Sequence, residues 1–252
     1  MLINERHADI LERMQANGKV LVKELCEIYN VTEDCIRKDL RSLEKRGLCK
    51  RVYGGAILLK NDVKHNVYER IDEHIEEKTI IAKKAFDLIG DGETVFLDIS
   101  TTNLILAKLL AQSQKKLIIV SNMIDILSVL SSNPNLTVIG TGGNVNLELN
   151  GFVGAITMSI VSKHRFSKAF LGTTGIDYSM NMLTTFDMED GLVKDLVVNN
   201  SAESYVMMED YKFTNTGTYK YIDVSKVDYI ITNGNIDAEY RQYLKKCHVK
   251  II

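Results

Sequence analysis

Proline is nearly absent from this chain, at one residue in 252. That excludes a proline-rich linker protein. Long apolar runs are missing too: none exceeds five residues, whereas a membrane-spanning helix needs roughly 20. The opening stretch MLINERHADILERM carries charges where a secretory signal needs an apolar centre. The expected location is the cytoplasm, with no membrane partner. The four cysteines, Cys26, Cys35, Cys49 and Cys247, make no CxxC pair and no zinc spacing. They are expected to be reduced, some of them buried, and no metal or cofactor is expected. Charge of one sign is also lacking, with 31 Lys+Arg against 33 Asp+Glu. What is present is 45% apolar and 25% charged residues, the mix of a soluble globular protein with a full core. The length suits two domains or one large one.

The even balance of charge hides an asymmetry. Residues 1–60 hold 12 basic and 9 acidic side chains, and the remainder is net negative. Within 37–60 there are 8 basic residues against 2 acidic ones. On charge alone this is either a polyanion-binding footprint or a solvated helix face. Pattern separates the two. Ile3, His7, Ile10, Leu11 and Met14 repeat at helical spacing, and Asn17-Gly18 stops that helix. Val22, Leu25, Cys26 and Tyr29 mark a second short helix, closed at Asn30. Thr32 is an expected N-cap, with Glu33 and Asp34 in the first turn, where the helix dipole favours acids. Ile36, Leu40 and Leu43 give the third helix one apolar stripe, and its other face carries Arg37, Lys38, Arg41 and Lys45. A basic recognition helix behind a tight turn has the geometry to enter a major groove. Residues 48–53 then read as a strand, Gly54-Gly55 as a turn and 56–59 as a returning strand. That is a hairpin wing whose basic residues would lie along phosphates.

Two blocks in this region, VTEDCIRKDLRSLEKRG and KRVYGGA, resemble the N-terminal signature of DeoR-type bacterial transcriptional regulators in order and spacing. The resemblance implies a winged helix-turn-helix over residues 1–60, contacting double-stranded operator DNA through Thr32, Arg37, Lys38, Arg41, Lys45, Arg51, Tyr53, Gly54 and Gly55. Two positions depart from the family: Cys35 stands where Thr is usual and Lys38 where Arg is usual. Lysine lacks the bidentate fork of arginine, so sequence preference would change more than docking.

Residues 61–74 have many charges and no clean period and are expected to be a linker. From 75 to 252 helical and extended segments alternate. Strands are expected at 94–98, 117–120, 136–139, 168–171, 205–208, 228–232 and 249–252. Helices are expected at 75–89, 103–110, 123–131, 155–163, 188–199 and 238–246. Such alternation implies an α/β domain, a mainly parallel sheet covered by helices on both faces. Ligands bind such sheets at the carboxyl ends of the strands. The first strand ends in Asp98-Ile99-Ser100-Thr101-Thr102 and opens a helix, a place where free amides and hydroxyls suit a phosphate. Taken alone, that run reads more readily as helix caps than as a phosphate site. The following strands end in Ser121-Asn122, Thr141-Gly142-Gly143-Asn144 and Gly172-Thr173-Thr174-Gly175. Together these ends would line one pocket of donors and acceptors fit for a polyhydroxylated anion.

LDISTT, VSN, GTGG, FLGTTGID and VDYIIT extend the resemblance to the DeoR-type sensor domain. That implies a fold related to ribose-5-phosphate isomerase and the CoA transferases, binding a phosphorylated sugar or related effector. The matching positions are Asp98, Ser100, Thr101, Thr102, Asn122, Gly142, Gly143, Gly172 and Lys212. Glu209-Asp210-Tyr211-Lys212, Thr232-Asn233 and residues 186–191 depart from the family pattern. The expected function is a sequence-specific regulator of sugar or related carbon metabolism, in the sense of a repressor, working as a homo-oligomer (dimer or tetramer). An isomerase-like enzyme on the same fold is the alternative. The five histidines, His7, His65, His74, His164 and His248, are scattered and give no nucleophile-base-orienter set. No catalytic residue is therefore expected.

Overall fold

The computed structural model describes residues 3–45, 48–58, 66–234 and 236–252. Its contacts divide the chain into two compact units, Met1–Val63 and Lys64–Ile252.

In the first unit, helix α1 (Ile3–Asn17), strand β1 (Lys19–Leu21), helix α2 (Val22–Tyr29) and helix α3 (Glu33–Lys45) precede a hairpin of β2 (Cys49–Val52) and β3 (Gly55–Leu58). Strand β3 lies between β1 and β2, antiparallel to both. The apolar stripes meet in one core of Ile10, Met14, Val20, Val22, Leu25, Ile36, Leu40, Leu43, Cys49 and Ala56. Asn30 closes α2 in the left-handed region at φ 51°. Burial stabilises by roughly 1.5–3 kcal/mol per large apolar side chain, against about 1 kcal/mol for a cap. The stripes, more than the caps, therefore set how the helices lie.

One polar cluster sits inside this core. Asp39, on the buried side of α3, accepts hydrogen bonds from Arg6 Nε at 2.6 Å and Arg6 Nη2 at 3.2 Å. His7 Nε2 lies 3.2 Å from the same carboxylate. The cluster ties α1 to the helix that carries the basic face.

The second unit begins before the helices and strands that the periodicity defines. Residues 61–65 of the expected linker lie outside the described residues. From Asn66 onward the stretch is structured: helix α4 (Val67–Arg70) buries Val67 completely, and Val67 N–H donates to Glu148 O at 2.7 Å. Residues 66–74 are thus part of the second unit's core rather than linker. Helix α5 (Ile75–Leu88), β4 (Thr94–Leu97), α6 (Thr101–Ala111), β5 (Leu117–Ser121), α7 (Ile124–Leu130) and β6 (Leu136–Gly140) follow. A short hairpin of β7 (Asn144–Asn146) and β8 (Gly151–Val153) leads to α8 (Ala155–Val161) and β9 (Phe166–Gly172). Then come β10 (Gly175–Asp177), β11 (Met182–Thr185), α9 (Met188–Asn199), β12 (Ser201–Met207), β13 (Tyr219–Asp223), β14 (Tyr229–Ile231), α10 (Ala238–Lys246) and β15 (Lys250–Ile251).

Seven strands form a wholly parallel sheet in the order β15-β14-β12-β9-β4-β5-β6. Alternate side chains enter opposite cores, as the two-residue period of a strand requires. Val95, Leu97, Ile119, Phe170, Tyr205 and Met207 pack on one face, with Ile81, Ala85, Leu106, Leu110 and Ile126 of α5, α6 and α7. Phe96, Val120, Ala169, Leu171, Val206 and Met208 pack on the other, with Val161, Val193, Val197 and Leu244 of α8, α9 and α10. Burial on both faces explains why these strands read as unbroken apolar runs. A second, antiparallel sheet of β10-β11-β13 and the β7-β8 hairpin complete the unit.

Asp39→Ala would leave Arg6 buried without its carboxylate. A cost of about 3–5 kcal/mol to the first unit is expected, checked by urea unfolding followed by circular dichroism. A loss below about 1 kcal/mol would show that the pair holds nothing.

Candidate functional site

The basic face of the first unit is built by α3. Thr32 Oγ1 accepts from Cys35 N–H at 3.4 Å, the expected N-cap. With Ile36, Leu40 and Leu43 turned into the core, Arg37, Lys38 and Arg41 face outward and are exposed. Arg37 Nη2 lies 2.8 Å from Glu33 Oε2, and Lys38 Nζ lies 3.6 Å from Asp34 Oδ2. Exposed pairs of this kind are worth roughly 0.3–0.5 kcal/mol, so a phosphate or base edge can displace them. The side chain of Lys45 falls outside the described residues. Arg51, on the hairpin, has Nε 3.1 Å from Glu44 Oε2 and donates its N–H to Glu44 Oε1 at 2.8 Å. That anchors the wing to α3. Tyr53 and Gly54 form the wing tip before Gly55 starts β3, and Tyr53 is fully exposed.

In the second unit the strand order reverses between β4 and β9: β5 and β6 lie on one side, β12, β14 and β15 on the other. Loops leaving two such strands diverge and leave a crevice at their carboxyl ends. A cavity of about 240 Å³ opens there. Its wall is Ile99–Thr102 after β4 and Gly172–Thr174 after β9, with Thr185, Phe186, Asp187, Asp190 and Lys194 from β11 and α9. Arg70 of α4, Lys212 and residues Asn146, Glu148 and Leu149 of the hairpin region close it.

Ser100 Oγ caps α6, accepting from Asn103 N–H at 3.0 Å. Thr101 and Thr102 are then the first two helical residues, whose N–H groups have no intrahelical acceptor. Asp98 acts behind this loop. Its carboxylate accepts from Gly172 N–H at 3.0 and 3.1 Å and from Asn103 Nδ2 at 2.7 Å, and it pairs with Lys194. Gly172 has to be glycine, because a Cβ there would lie 2.6 Å from Ser100 Cβ.

The charges divide unequally. Lys194 Nζ holds Asp98 and lies 3.2 Å from Asp190 Oδ1. Burial disfavours its charge, but the two carboxylates outweigh that and raise its pKa, so it stays protonated. Burial raises the pKa of Asp190 against the pull of Lys194. Lys212 Nζ lies 2.7 Å from Glu209 Oε2. Burial opposes the Glu209 charge, yet Lys212 holds its pKa below the ordinary range. Arg70 differs. Among the described residues no carboxylate pairs with it, and its Nε is buried without a hydrogen-bond acceptor. Burial lowers its pKa, yet a guanidinium remains charged at neutral pH. Its cation and the N-terminus of α6 border one cavity, an arrangement that attracts an anion.

Six of the nine expected effector positions thus fall at this crevice: Ser100, Thr101, Thr102, Gly172 and Lys212 on its wall, and Asp98 behind it. Asn122, Gly142 and Gly143 do not line it. The β7-β8 hairpin lies over the ends of β5 and β6, where Phe152 N–H donates to Asn122 O and Ile124 N–H to Asn150 O. Gly142 and Gly143, at φ 61° and 126°, carry the chain into that hairpin. Thr157 Oγ1 binds Gly142 O at 2.6 Å. These three residues hold the cover and do not line the cavity.

Arg70, Asp190, Lys194 and Thr185 were not expected at the site. Arg70 lay in an apparent linker. The other three come from β11 and α9, beyond the strand ends that the alternation marks. A lysine and an aspartate at i and i+4 on the buried side of α9 were the available signal.

The DeoR-like helix-turn-helix domain pattern matches residues 6–62, and the DeoR C terminal sensor domain pattern matches residues 73–234. The chain is 32% identical to the HTH-type transcriptional regulator GolR of Listeria innocua, over 95% of this chain and 94% of that protein. It is 30% identical to the glycerol-3-phosphate regulon repressor of Escherichia coli, over 98% and 97%. It is 28% identical to the lactose phosphotransferase system repressor of Lactococcus lactis, over 92% and 91%. Among solved structures, ribose 5-phosphate isomerase A of Methanocaldococcus jannaschii aligns at 14% identity and a TM-score of 0.40, over 54% of this chain and 52% of that one.

Beside the cavity, Lys78 is buried and donates from Nζ to Arg70 O at 2.6 Å. Burial pulls its pKa down from 10.5 to about 8. Below that value the folded state carries the full cost of the buried charge. Between about pH 8 and 10.5 the unfolded chain binds more protons than the folded one, so stability rises with pH across this window. Denaturant titrations at both ends should show that gain in the wild type and not in Lys78→Met; equal slopes would refute the assignment.

Proposed function

The chain belongs to the DeoR family of helix-turn-helix transcriptional regulators, and from that premise we propose that it represses operons of sugar or related carbon metabolism under control of a phosphorylated sugar or related metabolite. The observation that carries the effector reading is Arg70, a cation without a carboxylate partner among the described residues, beside the open N-terminus of α6. A phosphate would supply what Arg70 lacks and accept from the Thr101 and Thr102 amides. Lys212 would add a second positive group, shared with Glu209. Relatives named as repressors of glycerol-3-phosphate and lactose phosphotransferase systems support a metabolite of this class.

The chain regulates rather than catalyses in this reading. Lys194 is held protonated between two carboxylates, which suits a fixed charge and not a proton shuttle. The exposed face of α3 supports groove binding through Arg37, Lys38 and Arg41, and the wing supports phosphate contacts at Arg51 and Tyr53. A homo-oligomer would present two such helices to two half-sites. Effector control then follows from unequal affinity for DNA-competent and DNA-incompetent states.

Against an operator selected from random duplexes with the purified protein, Arg37→Ala and Arg41→Ala should each weaken binding by roughly 1–3 kcal/mol. Unchanged affinity in the double variant would sink the docking model.

Thr101→Asp would put a carboxylate where a phosphate should sit. Filter binding should show a protein that still holds the selected operator and no longer responds to phosphorylated sugars. A normal response would rule out a phosphate role for this loop; an unfolded variant would make these threonines helix caps only.

A further inference from the structure

Asp190 carries an unmet demand. It is 3% exposed and lines the cavity wall. Its Oδ2 accepts from Thr185 Oγ1 at 2.9 Å. Its Oδ1 lies 3.2 Å from Lys194 Nζ, an ion-pair distance, and among the described residues no second donor reaches it. The same ammonium also holds Asp98. A carboxylate oxygen has two acceptor positions, so Oδ1 keeps one that a ligand in the cavity can use.

The chemistry of the donor follows from the neighbours. A cation is excluded because Lys194 Nζ already stands 3.2 Å from the same oxygen. A further anion is disfavoured because two buried carboxyl groups, Asp98 and Asp190, already share the one ammonium of Lys194. A neutral hydroxyl fits: it donates one hydrogen bond and brings no charge. Arg70 and the N-terminus of α6, which suit an anion, border the same cavity.

We propose that Asp190 Oδ1 accepts a hydrogen bond from a hydroxyl on the carbon skeleton of a phosphate monoester, and so determines which hydroxylated phosphate esters the cavity takes. The inference rests on the phosphate reading of the α6 end. Thr185 and Lys194 act as positioning residues: one holds Oδ2, and the other lies at ion-pair distance from Oδ1. Gly191, next in sequence, admits the Tyr219 ring behind it, since a Cβ there would lie 2.4 Å from Tyr219 Cδ1. That packing helps fix the backbone from which Asp190 projects.

The test is calorimetric titration of the full chain with inorganic phosphate, methyl phosphate, glycerol 3-phosphate, fructose 6-phosphate and galactose 6-phosphate, in wild type and Asp190→Ala. Lys194 keeps Asp98 as its partner in that variant, so the fold should survive. Inorganic and methyl phosphate should bind the wild type, and the alanine variant at least as tightly, since the substitution removes a carboxyl that acts on Arg70. At least one hydroxylated ester should bind the wild type roughly tenfold or more tighter than methyl phosphate, the range of a hydrogen bond to a charged group. Most of that gain should vanish in Asp190→Ala. A gain that survives the substitution, or no gain in the wild type, overturns the inference while leaving the phosphate reading intact. Failure of inorganic and methyl phosphate to bind either protein overturns the phosphate reading, and the inference with it. Should the alanine variant not fold, Asp190→Leu, of similar shape and without an acceptor, replaces it, and an undiminished gain there is equally decisive.

Discussion

The carboxylate of Asp98 joins four elements at the point where the strand order reverses. It ends β4, receives the Gly172 N–H from the end of β9, receives Asn103 Nδ2 from α6, and pairs with Lys194 of α9. A parallel sheet opens a crevice at such a point because its flanking loops leave in opposite directions. Asp98 adds a polar tie across it to the β4-β9 ladder and to the apolar core that both halves share. Asp98 makes the crevice a fixed cavity, and the Ser100–Thr102 turn takes its position from that tie.

Buried charge at this place has to be matched, since an isolated ion costs several kcal/mol out of water. The chain matches Lys194 with two aspartates and Lys212 with Glu209. Among the described residues, Arg70 Nε lacks an acceptor, while Asp190 and Glu209 each keep an oxygen whose contact is an ion pair with lysine. A cavity whose unmet groups are complementary to an anion and to a hydroxyl is selective before any ligand arrives.

Arg70 also has a place in the chain that matters for control. It lies on α4, in the 66–74 stretch that follows the DNA-facing unit in sequence, and its carbonyl is held by Lys78 of α5. An anion that engages Arg70 therefore acts on the first described helix of the second unit. The first unit, for its part, keeps α3 in place through Arg6 and Asp39, so its basic face is rigid on its own account.

Periodicity alone determined much of this molecule. The stripes of α1, α2 and α3 and the alternation of apolar strands with helices are local repeats, and they mark the winged unit and the parallel sheet residue by residue. Helices α9 and α10 fall where their stripes put them, at Met188–Asn199 and Ala238–Lys246. Strand ends rich in Gly, Ser and Thr marked half of the cavity correctly, because residues that follow adjacent strands must meet. Tertiary structure decided the remainder. Strand order is a long-range property, so nothing local said that the ends of β5 and β6 lie under the β7-β8 hairpin, which removes Asn122, Gly142 and Gly143 from the wall. Strands of three to five residues such as β10, β11 and β13 are too short for a period to show. Arg70 and Asp190 look like ordinary surface charges in sequence. Only folding removes their water, and a charged group acquires a functional demand when its solvent is gone and no partner has replaced it.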